Sequence, residues 1–337
     1  MIAEYDLCAS SCFSDASSDL MPRGFNVRAL ITGGAGFLGS HLCDALLAEG
    51  NQVVVVDNLL TGRIDNIQHL SRESRLEFHD LDICEPFDCG PVEYVFHFAS
   101  PAAPADYMVH GIATLRTGSL GTFHALDLAR KYGAQFLLAS ASEVYGDPHE
   151  NPQHEDYWGN ANPIGERSVY TQAKRLSEVA VVAYRRYYNL DTRIVRIFYT
   201  YGPRMKRNDG RMVSEFIKNS LLGERLVIYG DGTHKRSLTY VSDTIDGILR
   251  VAHSHEHEPV NIGRREQITV FECAQQILAI TGSRSTIRFT ELLADDPKQR
   301  CPDITKARKL LGWEPKVDLQ TGLRRTAEYF RSEGGNS

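Results

Sequence analysis

The chain is predicted to be an α/β protein, a doubly wound parallel sheet carrying a smaller mixed α/β lobe. Three observations support that expectation. Short apolar runs alternate with longer stretches of helical periodicity between Val27 and Ile197, the pattern of strands joined by crossover helices. The first run ends in TGGAGFLG, Thr32–Gly39, a glycine-rich turn between a predicted strand and a predicted helix. After about Pro203 the alternation gives way to helices mixed with short strands.

In chain order, Val27–Thr32 is a short apolar run that reads as a buried strand. Gly36–Glu49 places Leu38, Leu42, Ala45 and Leu46 on one helical face. Gln52–Asp57, with VVVV in its middle, is a second buried strand. Arg75–Asp82 and Glu93–Phe98 read as strands three and four, Ile112–Lys131 as one long helix, and Gln135–Ala139 as strand five. Arg167–Tyr188 is a second long helix and Thr192–Ile197 a sixth strand. This is the order of a Rossmann domain, assigned to residues 25–202. Residues 203–331 are assigned mainly to a substrate-binding lobe. Its helices are Arg211–Leu222, Ser242–Ala252, Thr269–Ile280 and Thr321–Phe330, with short strands near Val227 and Val260. A segment at about 238–252 is expected to return to the first domain. Residues 1–24 carry Glu4, Asp6, Asp15 and Asp19 without an apolar core, so a mobile tail is expected there rather than a signal peptide.

Composition narrows the functional classes. The 337 residues are 42% hydrophobic and 24% charged, with net charge −6. That balance argues against a nucleic-acid or anionic-membrane surface. No apolar run approaches the roughly 20 residues that span a bilayer. The seven cysteines are odd in number and include no C-x-x-C pair, which suits reduced thiols and a cytoplasmic location. No metal site is expected: Cys8 and Cys12 lack a second ligand pair, and the run His253, His255, His257 before Pro259 reads as a solvated loop.

Gly33, Gly36 and Gly39 let a backbone approach a pyrophosphate, whose charge a helix N-terminus favours. Asp57 closes the second strand 18 residues after Gly39. A carboxylate there accepts hydrogen bonds from an adenosine ribose and repels a 2′-phosphate, favouring NAD over NADP, although Arg63 is close in sequence. The residues expected to hold the dinucleotide are therefore Gly33, Gly36, Phe37, Leu38, Gly39, Asp57, Asn58, Asp82, Ile83 and Ala99, with Tyr170 and Lys174 at its nicotinamide end. Those last two lie four apart on a predicted helix and share a face. A phenol with an ordinary pKa near 10 is a poor base at neutral pH, and lowering it by ~3 units needs ~4 kcal/mol. A neighbouring ammonium and a nicotinamide cation are expected to supply that. Glu143, in SASEVYG (Ser140–Gly146), adds a lone carboxylate. The set is one that oxidises a secondary alcohol.

With these residues in place, the chain resembles the extended short-chain dehydrogenase/reductases that modify nucleotide sugars, and among them the UDP-glucuronic acid decarboxylases, also called UDP-xylose synthases. The likeness runs from about Val27 to Phe330. Its marks are SEVYGDP (Ser142–Pro148), YWGNANPIGERS (Tyr157–Ser168), YGPRMKRNDGRMV (Tyr201–Val213), YGDGTHKRS (Tyr229–Ser237) and RCPDI…LLGWEPK (Arg300–Lys316). The resemblance implies that Arg236 contacts the UDP diphosphate and that Arg300 works with Glu143 at the sugar carboxylate. It implies Glu143, Tyr199, Arg211, Tyr229, Arg236 and Arg300 as substrate-binding residues, and Tyr170, Lys174, Glu143, Arg300 and Ser142 as catalytic ones. It also implies a homodimer, in which the helices matching Ile112–Lys131 and Arg167–Tyr188 pair as a four-helix bundle; Tyr184, Tyr187 and Tyr188 are expected at an interface.

Chemistry separates the sister activities, all of which first oxidise C4 of the sugar. A 4,6-dehydratase must expel a hydroxyl and usually carries an Asp before the Glu; here that residue is Ser142. A decarboxylase needs no acid for loss of carbon dioxide, because the C4 ketone accepts the electrons. A 4-epimerase has no obvious use for Glu143. Three positions depart from the family pattern: Ala141 where relatives carry Ser or Thr, Tyr199 where they carry Asn, and Gly118 where an Asn is common. Two other readings stay open, a different C4-oxidising nucleotide-sugar enzyme (an epimerase or a 4-keto-forming variant) and a catalytically weak NAD-binding scaffold.

Overall fold

The computed structural model describes residues 27–291 and 299–334; the tail expected over residues 1–24, with Cys8 and Cys12, lies outside them. The first half runs β1 (Arg28–Thr32), α1 (Phe37–Ala48), β2 (Gln52–Asp57), β3 (Leu76–Asp80), β4 (Tyr94–His97), α2 (Pro104–Val109), α3 (Gly111–Arg116), α4 (Thr122–Tyr132), β5 (Gln135–Ala141), α5 (Ser168–Tyr188) and β6 (Thr192–Ile197). The second half runs β7 (Thr200–Tyr201), α6 (Met212–Leu222), β8 (Leu226–Tyr229), β9 (Lys235–Ser237), β10 (Thr239–Tyr240), α7 (Val241–Ala252), β11 (Val260–Ile262), β12 (Gln267–Thr269), α8 (Val270–Thr281), β13 (Ile287–Thr290), β14 (Gln299–Arg300), α9 (Thr305–Leu311) and α10 (Leu319–Gly334).

Seven of these strands form one parallel sheet in the order β11-β6-β5-β4-β1-β2-β3. The apolar runs of β1 and β2 are buried on both faces, as a sheet covered by helices on each side requires. One face packs Leu42, Leu46 and Leu47 of α1 against Ile245 and Ile248 of α7; the other packs α4 and α5 through Leu126, Ala129, Ala180 and Val181. The strand expected in the smaller lobe near Val260 instead pairs with β6 and forms the edge of the main sheet. The chain winds outward in one direction through β2 and β3, then returns to β4 on the other side of β1. The crevice at that reversal, outside the carboxyl ends of the strands, is where such sheets bind ligands.

The helix expected over Ile112–Lys131 runs continuously from α3 to α4 through a π-turn at Thr117–Gly121, whose flanking residues keep helical backbone angles. The turn packs closely against α5. A Cβ on Gly118 would stand 2.6 Å from the Ala173 Cβ and 3.0 Å from its Cα. The freed Gly118 carbonyl accepts hydrogen bonds from Thr122 Oγ1 at 3.1 Å and Ser177 Oγ at 2.9 Å. Such turns are frequent beside functional sites. Thr122 Oγ1 also reaches Nε2 of His97 at 3.1 Å, and the other ring nitrogen, Nδ1, lies 2.8 Å from Thr32 Oγ1. His97 thus ties the end of β1 to the π-turn from within the core.

Burial, reinforced by the charge of Lys174, pushes the His97 imidazole down to about 3. The unfolded chain binds that proton with a pKa near 6.5, so the folded state lacks a proton the unfolded state takes up between these values. The stability held by neutral His97 is complete above about pH 6.5 and is lost as pH falls toward about 3. Thermal unfolding of His97→Gln, which cannot titrate, is expected to lose Tm less steeply across that window than the wild type. Equal slopes would remove His97 as a cause of acid instability.

Candidate active site

The cradle begins where β1 ends. Gly33 has φ +76, and a Cβ there would meet the Ala99 backbone N and Cα at 2.7 Å, so the turn passes tightly beneath the end of β4. Gly36 is the N-cap of α1 and no side chain caps the helix, which leaves its N-terminus directed at the crevice. Asp57, at the tip of β2, accepts the Ala35 N–H at 3.0 Å through Oδ2 and the Leu59 N–H at 2.9 Å through Oδ1. Burial raises its carboxyl above the ordinary value, and those two backbone bonds oppose the rise. Arg63 is turned to Glu333 at 3.2 Å and to Asn66. A dinucleotide fits this set of residues: an uncapped helix end, a side-chain-free turn and a carboxylate at the second strand tip.

All the residues named above for cofactor and substrate line one cavity of about 450 Å³ at the strand reversal. It runs from Asp57 and Asn58, past Gly33–Gly39, Asp82, Ile83 and Ala99, to Tyr170 and Lys174. It continues through Ser142, Glu143 and Arg300 to Tyr199, Arg211, Tyr229 and Arg236. The second half of the chain supplies the far wall.

Tyr170 and Lys174 are buried on the inner face of α5. Lys174 Nζ donates to the Ala139 carbonyl at 2.7 Å and sits 5.8 Å from the centre of the Tyr170 ring. Burial pushes this ammonium down to about 8, against the raising effect of Glu143 and Glu178. Burial holds Tyr170 well above 10, Glu143 and Tyr107 add to the rise, and Arg211 and Arg300 only partly offset it. Lys174 Nζ bonds the strand carbonyl rather than the hydroxyl, so within the protein alone burial outweighs the nearby positive charges at the phenol.

Ala141 ends β5 and packs against Tyr170 and Tyr107. The Tyr107 ring lies parallel to that of Tyr170, 5.2 Å away with 4° between planes. Its hydroxyl accepts from Arg167 Nε at 2.9 Å. Tyr107 and Arg167 were not among the expected site residues. Arg167 stood in the YWGNANPIGERS block, but Tyr107 follows β4 in an apolar SPAAPADY stretch that carries no chemical signal. Across the cleft mouth, Lys206 pairs with Asp106 of α2 at 3.1 Å. Tyr199 accepts the Val213 N–H at the start of α6 at 3.2 Å, and burial pushes its phenol up.

Glu143 sits in the single 3₁₀ turn Ser142–Tyr145 that follows β5. Arg300 reaches it from β14, which is held parallel to β9 with Arg300 opposite Arg236. Arg300 Nη1 lies 3.0 Å from Glu143 Oε1 and donates to Ser142 Oγ at 2.9 Å; Nη2 donates to the Gly146 carbonyl at 3.2 Å. Nε is buried with no partner among the described residues. Burial lowers the guanidinium pKa and Glu143 raises it. Two arginines thus converge beside a carboxylate that is the counter-ion of one of them.

Outside the cleft, Tyr184 is buried and Tyr188 is half exposed. Tyr184 donates to Asp127 at 2.6 Å, and Tyr188 packs beneath Arg130; Tyr187 is exposed. The ring of His257 bonds the Thr192 carbonyl, and no cluster of three metal-ligating side chains occurs among the described residues.

The geometry has its counterpart in known proteins. A family model described as GDP-mannose 4,6 dehydratase matches residues 30–326. UDP-glucuronic acid decarboxylase 1 of Danio rerio is 48% identical over 306 residues, covering 91% of this chain and 73% of the relative. A UDP-glucose 4-epimerase from Thermotoga maritima, solved with UDP-glucose, superposes with a TM-score of 0.84 at 32% identity, covering 91% and 99% of the two chains. A UDP-glucuronic acid 4-epimerase from Bacillus cereus, solved with UDP-glucuronic acid and NAD, gives 0.81 at 28% identity over the same shares. With a family match across most of its length and a relative at 48% identity, the chain belongs to the nucleotide-sugar family described by the GDP-mannose 4,6 dehydratase model.

Proposed function

We propose that this protein is an NAD-dependent UDP-glucuronic acid decarboxylase that forms UDP-xylose. The observation that carries the reading is the Glu143–Arg300 pair at 3.0 Å, with Ser142 rather than an acid beside it. The epimerases share the fold, and fold alone does not choose the reaction; the 48% relative is a decarboxylase.

The cofactor is NAD, which would supply a reversible hydride acceptor for C4, so no net NADH is expected. Asp57, the α1 N-terminus and the Gly33 turn would hold it. Tyr170, made a phenolate by the positive charges of Lys174 and of the nicotinamide that would bind beside it, takes the proton of the C4 hydroxyl and becomes a neutral phenol, which returns that proton when C4 is reduced again. Ala141 offers the C4 alcohol no hydroxyl, so that proton has Tyr170 as its one acceptor in this account. Arg300 binds the sugar carboxylate, for which its free Nε is a ready donor. With C4 a ketone, the C5–carboxylate bond breaks, its electron pair enters the ketone as an enolate, and carbon dioxide departs. Glu143 then positions the proton that returns to C5. Arg236, Arg211, Tyr199 and Tyr229 form the nucleotide end of the cleft.

We further propose a homodimer built on α3–α5. Ile112, Leu115, Leu120, Phe123, Leu176 and Val179 are exposed apolar residues on those helices, more than a monomer surface ordinarily leaves open in one region. Val179→Glu is expected to give monomers on a sizing column; an unchanged dimer would place the interface elsewhere. A reducing, cytoplasmic location rests on the unpaired state of Cys43, Cys84, Cys89, Cys273 and Cys301.

Incubation with UDP-glucuronate, followed by mass detection of UDP-xylose and carbon dioxide, tests the main reading. A C4 epimer, a stable 4-keto sugar or unchanged substrate would each overturn it. Glu143→Gln is expected to form NADH on mixing yet release carbon dioxide about 10²-fold more slowly. Equal loss of both signals would mean that Glu143 serves binding or oxidation instead.

Burial pushes the Lys174 ammonium down to about 8, and a positive charge at that position favours the phenolate. Activity is therefore expected to decline as pH rises through about 8, seen as an alkaline limb in kcat/KM that Lys174→Met abolishes. A profile flat well past that pH would separate Lys174 from the proton transfer.

A further inference from the structure

We propose that Glu178 and Arg196 form a positioning pair that keeps the oxidising residues of α5 in register with the decarboxylating residues Glu143 and Arg300. The inference rests on the decarboxylase reading above. Glu178 stands one turn beyond Lys174 on α5, and Arg196 lies on β6. The guanidinium makes two parallel bonds to the carboxylate, Nε to Oε1 at 3.0 Å and Nη2 to Oε2 at 2.8 Å. The two side chains are only 12% and 13% exposed. Ser140, two residues before Ser142, donates to the same Oε1 at 2.6 Å. The reaction as derived uses none of these three groups.

From Arg196 the bonds continue to the other half of the site. Its Nη1 donates to the Tyr145 hydroxyl at 2.9 Å and to the Glu155 carbonyl at 2.7 Å. Tyr145 ends the turn that carries Glu143, and its own O–H donates to Asn261 Oδ1 at 2.8 Å. Asn261 Nδ2 donates to the carbonyls of Gln153 and Asp303, each at 3.1 Å. The Gln153 side-chain carbonyl accepts the Cys301 N–H at 2.9 Å, while the Gln153 backbone N–H donates to the Cys301 carbonyl at 2.8 Å. Cys301 is the chain neighbour of Arg300. One series of largely buried hydrogen bonds therefore joins the helix of Tyr170 and Lys174 to both members of the Glu143–Arg300 pair.

A buried ion pair is weak evidence for stability. This one lies between two groups that must act in turn on adjacent carbons of one ring, C4 and then C5. A bidentate guanidinium fixes orientation in a way an ammonium does not. Small misplacements of reacting groups cost large factors in rate.

The test compares wild type, Arg196→Lys and the double variant Glu178→Leu/Arg196→Met, which removes the pair without leaving a lone buried charge. In Arg196→Lys, kcat is expected to fall by about 10²-fold, with UDP affinity by calorimetry within about twofold of wild type, as for a group outside the nucleotide subsite. The discriminating readout is the ratio of NADH formed to carbon dioxide released in a single turnover, which does not depend on the folded fraction. It is expected to rise by about tenfold in both variants, because the oxidised sugar no longer presents an aligned C5–carboxylate bond to Arg300. A lower Tm with the wild-type ratio in both variants would overturn the proposal and leave the pair a structural one. A wild type that neither forms NADH nor releases carbon dioxide from UDP-glucuronate would overturn the decarboxylase reading itself, and this inference with it.

Discussion

The reversal of strand order between β1 and β4 is the constraint from which the site follows. Strands that wind away from each other leave their carboxyl ends uncovered between them. Into that crevice open the Gly33 turn, the Asp57 carboxylate and the Ala99 backbone, each at the end of a different strand. The turn can approach β4 only because position 33 has no side chain and accepts φ +76. The residues after β5 and β6, Ser142–Glu143 and Tyr199, enter the same opening from the far side.

Burial sets the chemistry inside it. The Lys174 ammonium is pushed down and the Tyr170 phenol up, so the two move toward their uncharged forms in the protein alone. A cation arriving over the phenol would therefore add to the partial stabilisation from Arg211 and Arg300, in surroundings where a charge acts strongly. The carboxylates and cations of the cleft are matched instead: Glu143 with Arg300, Asp209 with Arg211, Asp106 with Lys206. Of these, Arg300 keeps a buried donor, Nε, for which the described residues offer no acceptor.

Much of the site was legible before any coordinates because its signals are local. Gly33, Gly36 and Gly39 occur within one turn, Tyr170 and Lys174 within one helical repeat, and Asp57 at the end of an unbroken valine run. Strands β2 and β6 fall on the boundaries read from their apolar runs. The π-turn at Thr117–Gly121 was not legible, because its packing partner, Ala173, lies on another helix. Tyr107 was missed for a similar reason: its place beside Tyr170 depends on how α2 folds over the crevice.

By itself the sequence determined the α/β order, the glycine cradle, the phenol–ammonium spacing and the identity of the groups available for chemistry, since each is written in neighbouring residues. The tertiary structure decided which of those groups meet. It brought Arg300 to within 3.0 Å of Glu143 from 157 positions away, through the pairing of β14 with β9 and the Gln153–Cys301 bonds. It also decided that Lys174 spends its nearest hydrogen bond on the Ala139 carbonyl. Contacts between distant segments depend on how whole elements pack, and no local pattern encodes that packing.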